Sequence, residues 1–284
     1  MVRLFGLLLP LILSACSPLR AFDALVPKDG GARLVAKDQA FTSGPRGKLD
    51  IYAPRGAAVS ETLPVIVFFY GGSWNTGSKA GYSFVGRALA AQGFVVAVPD
   101  YRLVKDAPYP AFLEDGAAAV RWVRANAARF GGDPDRIVLA GHSAGAYNAA
   151  MLSVDPRWLG ADRAAVKGLA ALSGPYSFLP LDTKVTQETF GAVVDLATTQ
   201  PVNFASAGDP PTLLIAGGKD NLVFGSNSIA MALKLSEAGV PVETRVYDDL
   251  GHVGTVTALS TLFRGKAPVL RDVAAFAHRV TGPG

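Results

Sequence analysis

The chain has 284 residues, half of them hydrophobic, which is enough for one large domain or two small ones with a substantial core. Its 27 lysines and arginines against 23 aspartates and glutamates leave a formal charge of only +4, and the basic residues are scattered, which argues against a nucleic-acid groove. A lone cysteine excludes an internal disulfide, and no segment is a repeat or a low-complexity tract.

The amino terminus reads as a targeting segment. Arg3 gives a positive start, and Leu4 to Leu13 form an apolar run, broken by Pro10, that is too short to span a bilayer. Leu13-Ser14-Ala15-Cys16 follows and resembles the lipobox of bacterial lipoproteins, where cleavage precedes a cysteine that is then lipidated. The alternative is a secretory signal cut after Ala15, but Leu13 is bulky for the position three before such a cut. Residues 1–15 are therefore expected to be a lipoprotein signal peptide and Cys16 a lipid anchor, with about 0.8 kcal/mol of membrane affinity per buried methylene. Residues 16–31 read as a tether, and 32–284 as one catalytic-sized domain. The implied location is the cell envelope, facing the periplasm or, on the alternative reading, free in it.

Beyond Arg33, short apolar runs alternate with longer amphipathic ones. Leu49 to Tyr52 predicts an early antiparallel strand, and Pro64 to Tyr70 a strand covered on both faces. Ser83 to Gln92 suits a helix, Gly93 to Val98 a buried strand, and Ala111 to Phe130 a helix with apolar residues at helical spacing. Arg136 to Ala140 is apolar again, and Ala146 to Ser153 favours helix. Strands follow at Gly168–Leu172, Thr212–Ala216 and Val242–Tyr247, with helices near Ser226–Ala238 and Ala267–Val280. This alternation predicts an α/β fold with a mostly parallel sheet wrapped on both faces. Residues 174–209 break the rhythm and are expected to form a lid or a pocket-forming insertion.

Gly141-His142-Ser143-Ala144-Gly145 stands between a strand and a helix. A hydroxyl is a poor nucleophile at neutral pH, so a catalytic serine must be exposed, held in one geometry and placed beside a base. Glycines two before and two after Ser143 let strand and helix approach closely, the signature of a nucleophile elbow. An ordinary glycine-rich turn that caps a helix is the plainer alternative.

A base and an orienting acid are then required. Of the three histidines, His142 lies within the elbow, with its side chain expected to point away from the serine's line of attack. His278 falls in the terminal helix, where a solvated surface position is expected. His252 sits in a glycine-flanked turn after the strand Val242–Tyr247 and is the candidate base. Asp220, just past the strand Leu213–Ala216, lies between serine and histidine in chain order and is the candidate acid. Asp248 and Asp249 are so close to His252 that turn-shaping is the better reading, and Asp182 and Asp195 fall in the irregular insertion. Tyr70-Gly71-Gly72-Ser73-Trp74 follows a strand and can turn N–H groups inward; with the Ala144 N–H it would form an oxyanion site worth about 3–4 kcal/mol per donor.

Together these residues resemble the α/β-hydrolase superfamily, and within it the esterases with an H-G-G-x-W oxyanion motif: hormone-sensitive-lipase-like carboxylesterases, kynurenine formamidases, prenylcysteine methylesterases and feruloyl-esterase-like enzymes. The likeness extends to Leu49–Tyr52, Pro99–Leu103, Tyr109-Pro110, Glu114-Asp115 and Gly131–Pro134. It implies a central sheet of about eight strands, Ser143, Asp220 and His252 as a triad, oxyanion donors from Gly72, Ser73 and Ala144 with Gly71 shaping the turn, and no metal or organic cofactor. Tyr70 stands where the family has histidine; if that side chain braces the loop, its hydroxyl would do so on a backbone carbonyl.

The resulting expectation is a serine carboxylic-ester hydrolase acting on small to medium acyl esters, its small-molecule partners, through an acyl-enzyme. The base must be neutral, so activity should fall below about pH 6 to 7. Trp74, Tyr147, Tyr176, Phe178, Phe204 and Phe224 are candidates to line an apolar pocket, though aromatic residues also serve as core. Two rivals remain: an amide hydrolase of the arylformamidase type, separated by an acyl-chain panel with formyl-kynurenine, and a non-catalytic hydrolase-fold lipoprotein, separated by a fluorophosphonate probe.

Overall fold

Eight strands, among the described residues, join in one sheet, because the apolar runs of this chain have nowhere to go but between two helical layers. The computed structural model describes residues 18–56 and 62–282. The leader and Cys16 lie outside the described residues. The strands are β1 (Ala32–Ala40), β2 (Lys48–Pro54), β3 (Leu63–Phe69), β4 (Val95–Pro99), β5 (Gly132–His142), β6 (Val166–Leu172), β7 (Thr212–Gly217) and β8 (Val242–Tyr247). Their spatial order is β1-β2-β4-β3-β5-β6-β7-β8. The pairs β1/β2 and β2/β4 are antiparallel and all later pairs are parallel. In β3, Val65 to Phe69 are 0–1% exposed, as a strand covered on both faces requires.

One face is covered by α2 (Ser83–Ala90) and α9 (Val269–Thr281), which touch each other; the other by α3 (Ala111–Asn126), α4 (Ala144–Val154), the short α5 (Pro156–Leu159) and α7 (Ser226–Glu237). All eleven residues of α4 are buried. The segment between β6 and β7 carries α6 (Lys184–Phe190) and two 3₁₀ turns, and α8 (His252–Thr257) follows β8.

The tether expected over residues 16–31 is corrected in its described part. Pro18–Leu25 is a helix, α1, docked on the body. Leu19 and Phe22 pack on the core and Val26 is buried, a one-sided apolar spacing that gives a short helix a face to bury. Asp23 locks it: its carboxylate accepts from Ser83 Oγ and from the Phe84 N–H at 2.7 Å, so it caps the first turn of α2.

Candidate active site

The site forms where parallel strands end on the same edge of the sheet. Ser143 joins β5 to α4 with φ 57° and ψ −125°, a conformation that side chains rarely adopt and that crowds strand against helix. The flanking glycines make that possible. A Cβ on Gly141 would lie 2.3 Å from the Gly145 carbonyl oxygen, and one on Gly145 would lie 2.1 Å from that of Phe69. The Ser143 N–H donates to Leu172 O of β6 at 2.9 Å, which fixes the apex.

Ser143 Oγ lies 2.8 Å from His252 Nε2, and His252 Nδ1 lies 2.8 Å from Asp220 Oδ2. His252 is the first residue of α8 rather than part of an open turn. Asp220 is buried; burial alone would raise its pKa, but the N–H groups of Val223 and Leu222 and the His252 ring outweigh that and hold the carboxyl below its usual range. Its Oδ1 accepts from Leu222 N at 3.0 Å and Val223 N at 2.9 Å, leaving Oδ2 for the histidine. Asp249, one of the rivals, instead pairs with Lys219 on the surface.

His142 does more than the sequence reading assigns to it. Its ring lies 4.9 Å from the His252 ring and lines the cavity beside Ser143, instead of turning away from the site. The His142 Nε2–H donates to the His252 carbonyl at 3.0 Å, and Thr255 Oγ1 donates to the same oxygen at 2.9 Å. Because a carbonyl only accepts, Nε2 carries the proton and Nδ1 is a bare acceptor, without a partner among the described residues. Burial, with His252 beside it, pushes the His142 pKa down to about 3, so the ring is neutral. His278 is on the surface as expected, its ring tilted against that of Phe94 at 4.2 Å and its Nε2–H donating to Gln92 O at 2.8 Å.

The loop after β3 faces the elbow so closely that a Cβ on Gly71 would lie 2.9 Å from His142 Nδ1 and 3.0 Å from Ser143 Cβ. Gly72, Ser73 and Trp74 have φ of 140°, 53° and 55°, three successive positive values that turn the backbone inward. The turn is closed on Gly72 O by Thr76 N at 2.9 Å and Asn75 N at 3.1 Å. Among the described residues the N–H groups of Gly72, Ser73 and Ala144 have no partner, whereas the Gly71 N–H donates to Tyr82 Oη at 3.1 Å. With its N–H engaged, Gly71 is not free to donate to an oxyanion and has the turn-shaping part expected of it. Tyr70 also differs from expectation. Its hydroxyl accepts from Arg46 Nη1 at 3.1 Å rather than donating to a carbonyl, and the same nitrogen reaches Gly77 O at 3.2 Å. The hydroxyl that finds a carbonyl is that of Tyr101, 2.7 Å from Tyr70 O.

Two cavities of about 370 and 380 Å³ meet at Ser143, Ser73 and Leu222. The first is walled by Leu19 and Phe22 of α1 with Tyr82, His252 and Val253, a contribution missed in the sequence because residues 16–31 read as tether. The second is walled by Trp74, Phe178, Leu179 and Phe224, with Ser177, Asp182 and Asn227 as its polar part. The insertion at 174–209 thus builds pocket wall. Tyr147 and Tyr176 are corrected: both are fully buried and line neither cavity. Tyr147 donates to Thr199 O at 2.8 Å and packs edge-on against Trp74, behind the cavity. Phe204 lies under the Arg157 guanidinium, away from the serine. Trp74 is itself mostly buried, its Nε1–H donating to Asn148 Oδ1 at 3.0 Å. Among the described residues no group of three or more His, Cys, Asp or Glu side chains is placed to hold a metal ion.

A mostly parallel eight-stranded sheet with helices on both faces and a strained serine between strand and helix defines an α/β-hydrolase. Residues 49–235 match the family described as BD-FAE, and the chain belongs to that family. It is 48% identical over 97 residues to carboxylesterase NlhH of Mycobacterium tuberculosis, covering 34% of this chain and 30% of that protein. It is 37% identical over 119 residues to isoprenylcysteine alpha-carbonyl methylesterase ICME of Arabidopsis thaliana, covering 42% and 27%. The chain thus spans less than a third of the length of these curated relatives. Esterase B from Lactobacillus rhamnosis shares the fold with a TM-score of 0.79 at 20% identity, over 93% of this chain and 92% of that one. The Thermogutta terrifontis esterase Est2 gives 0.72 at 23%, over 89% and 96%.

Proposed function

We propose that the chain is a serine carboxylic-ester hydrolase acting on small to medium acyl esters. The observation that carries this reading is the continuous Asp220–His252–Ser143 chain, with both contacts at 2.8 Å, beside three N–H groups that lack partners among the described residues. Ser143 Oγ attacks the ester carbonyl carbon while His252 Nε2 takes its proton, and Asp220 stabilises the imidazolium without being protonated. The oxyanion is held by the N–H groups of Gly72, Ser73 and Ala144, each worth about 3–4 kcal/mol in the transition state. Collapse breaks the bond to the alcohol, which leaves with the proton from His252. Water then attacks the acyl-enzyme, again giving its proton to His252, and the acid departs as Ser143 regains its hydrogen. Cavities near 370 Å³ on each side sit at the small end of ligand sites, which supports compact acyl and alcohol groups. The reading includes Cys16 as a lipid anchor on an envelope membrane, supported by the leader sequence.

The test is the Ser143→Ala variant. Turnover of aryl esters should fall at least ~10⁴-fold with the circular-dichroism spectrum and melting temperature retained. Substantial residual hydrolysis at unchanged protein purity would mean that another group is the nucleophile.

A further inference from the structure

Part of the exposed apolar surface among the described residues lies at the mouth of the Ser143 site. Ten large hydrophobic side chains stand exposed among the described residues, and four of them, Leu179, Leu222, Phe224 and Val253, line the two cavities beside the serine. Leu222 and Phe224 are each 64% exposed. The backbone of their loop is held by Asp220 Oδ1, which accepts from the Leu222 and Val223 N–H groups. Large apolar groups held outward around a cavity mark a surface that meets an apolar partner.

Helix α1 completes the rim with Leu19 and Phe22, and it too is fixed in place. Asp23 ties it to α2, and the Phe22 ring stacks on Phe263 at 5.9 Å and meets Phe84 edge-on at 5.2 Å. Leu19 lines the cavity, and Cys16 is three residues before it in the sequence. Three residues of chain reach at most about 11 Å. A lipid on Cys16 is therefore bound by covalent geometry to the neighbourhood of the mouth, whatever path the backbone takes. Among the described residues no helix is long and apolar enough to cross a membrane.

We propose that the rim formed by α1, Leu222, Phe224 and Val253 is a bilayer-docking surface. The cavities then open onto the lipid phase, and the site draws medium-chain apolar esters dissolved there. The substrate class rests on the ester-hydrolase reading; the docking itself does not.

The test uses the full chain reconstituted into phosphatidylethanolamine–phosphatidylglycerol vesicles, with and without brominated acyl chains. A Phe224→Trp variant should show its added fluorescence quenched at least twofold by the brominated lipid, while a Thr244→Trp variant on the outer strand β8 shows none of that quenching. Equal quenching at the two positions overturns the proposal, as does a rim covered by a second copy, seen as a dimer in solution together with an unquenched Phe224→Trp variant. In the catalytic arm, the ratio of turnover on vesicle-dissolved p-nitrophenyl decanoate to turnover on the same ester presented as monomer without vesicles should fall at least tenfold in Leu222→Asp/Phe224→Asp. An equal fall in both presentations means that the rim, whose residues also line the cavities, only touches substrate, which overturns docking. If the parent hydrolyses the ester in neither presentation yet the Phe224→Trp quenching persists, the hydrolase reading fails and the docking stands.

Discussion

His142 should make the folded state acid-labile, and replacing it should remove a defined part of that lability. The ring is 2% exposed, spends its one N–H on the His252 carbonyl, and faces the His252 ring at 4.9 Å with Asp220 beyond it. Its pKa is pushed from 6.5 down to about 3, first by burial and then by the neighbouring histidine. A folded-state value below the unfolded one means that folding favours the neutral ring. The contribution is fully present above about pH 6.5 and is lost as pH falls through that value toward 3, because only the unfolded chain binds the proton. Within that window the slope is about 1.4 kcal/mol per pH unit, and the total on reaching pH 3 is on the order of 4–5 kcal/mol. That is a large share of the roughly 5–15 kcal/mol that holds a typical domain folded. Urea unfolding of the parent and of His142→Gln at pH 7, 6, 5 and 4 measures the effect. The amide can still donate to the His252 carbonyl but has nothing to titrate. The variant should begin less stable at pH 7 and then lose stability more slowly, the two curves closing by about 1 kcal/mol or more for each unit below pH 6. Parallel curves would show that His142 is not a neutral buried ring and would refute the argument.

Asp220→Asn should lower kcat about 10⁴-fold with little change in melting temperature, because an amide can stabilise neither the imidazolium nor the right tautomer of His252; pre-steady-state acylation kinetics would read the loss, and a drop of less than tenfold would remove Asp220 from its role. Arg46→Ala should slow kcat about tenfold while leaving KM within about twofold, since the guanidinium touches no cavity around Ser143 but bridges Tyr70 Oη and Gly77 O at the two ends of the oxyanion loop. Comparable acyl-enzyme formation in variant and parent would show that the loop holds its shape without it.

The legible parts of the sequence were those governed by local sterics or by burial on both faces. Gly141 and Gly145 can be read without coordinates because any Cβ there meets a backbone oxygen near 2 Å, and the strand at Pro64–Tyr70 because only a doubly covered strand is apolar throughout. The pocket aromatics were not legible. Helix α4 is buried on every side, so its sequence holds no polar stripe to say which way Tyr147 points, and the tyrosine lies behind Trp74. Helix α1 was hidden for a related reason. Eight residues with Leu19 and Phe22 on one side have too little pattern to be a helix alone, and the partner that stabilises them, the Asp23 cap on α2, lies sixty residues on. Tyr70 in place of histidine could be noticed in the sequence, but not its resolution. The guanidinium that supports it comes from Arg46, in the turn between β1 and β2.

Strand direction explains why the three candidate catalytic groups converge. β3, β5, β6 and β7 are parallel neighbours in register, with Phe69 opposite Gly141, His142 opposite Leu172 and Leu172 opposite Ile215. Their carboxyl ends are therefore level, and the segment leaving each strand is delivered to one edge: the Gly71–Trp74 loop after β3, Ser143 after β5 and Asp220 after β7. His252 arrives from β8, paired in parallel with β7 through Gly217 and Tyr247. Side-chain distances of 2.8 Å then depend on how rigidly those loops are joined across the edge. Three of the joints tie these loops directly: Ser143 N–H to Leu172 O, His142 Nε2–H to His252 O, and Lys219 N–H to Leu250 O. Two of the three tie the elbow or the acid loop to a neighbouring strand or to the base loop through backbone alone. The one of these that needs a side chain is the His142 bond, and with Thr255 Oγ1 on the same oxygen it fixes the His252 backbone beside Ser143.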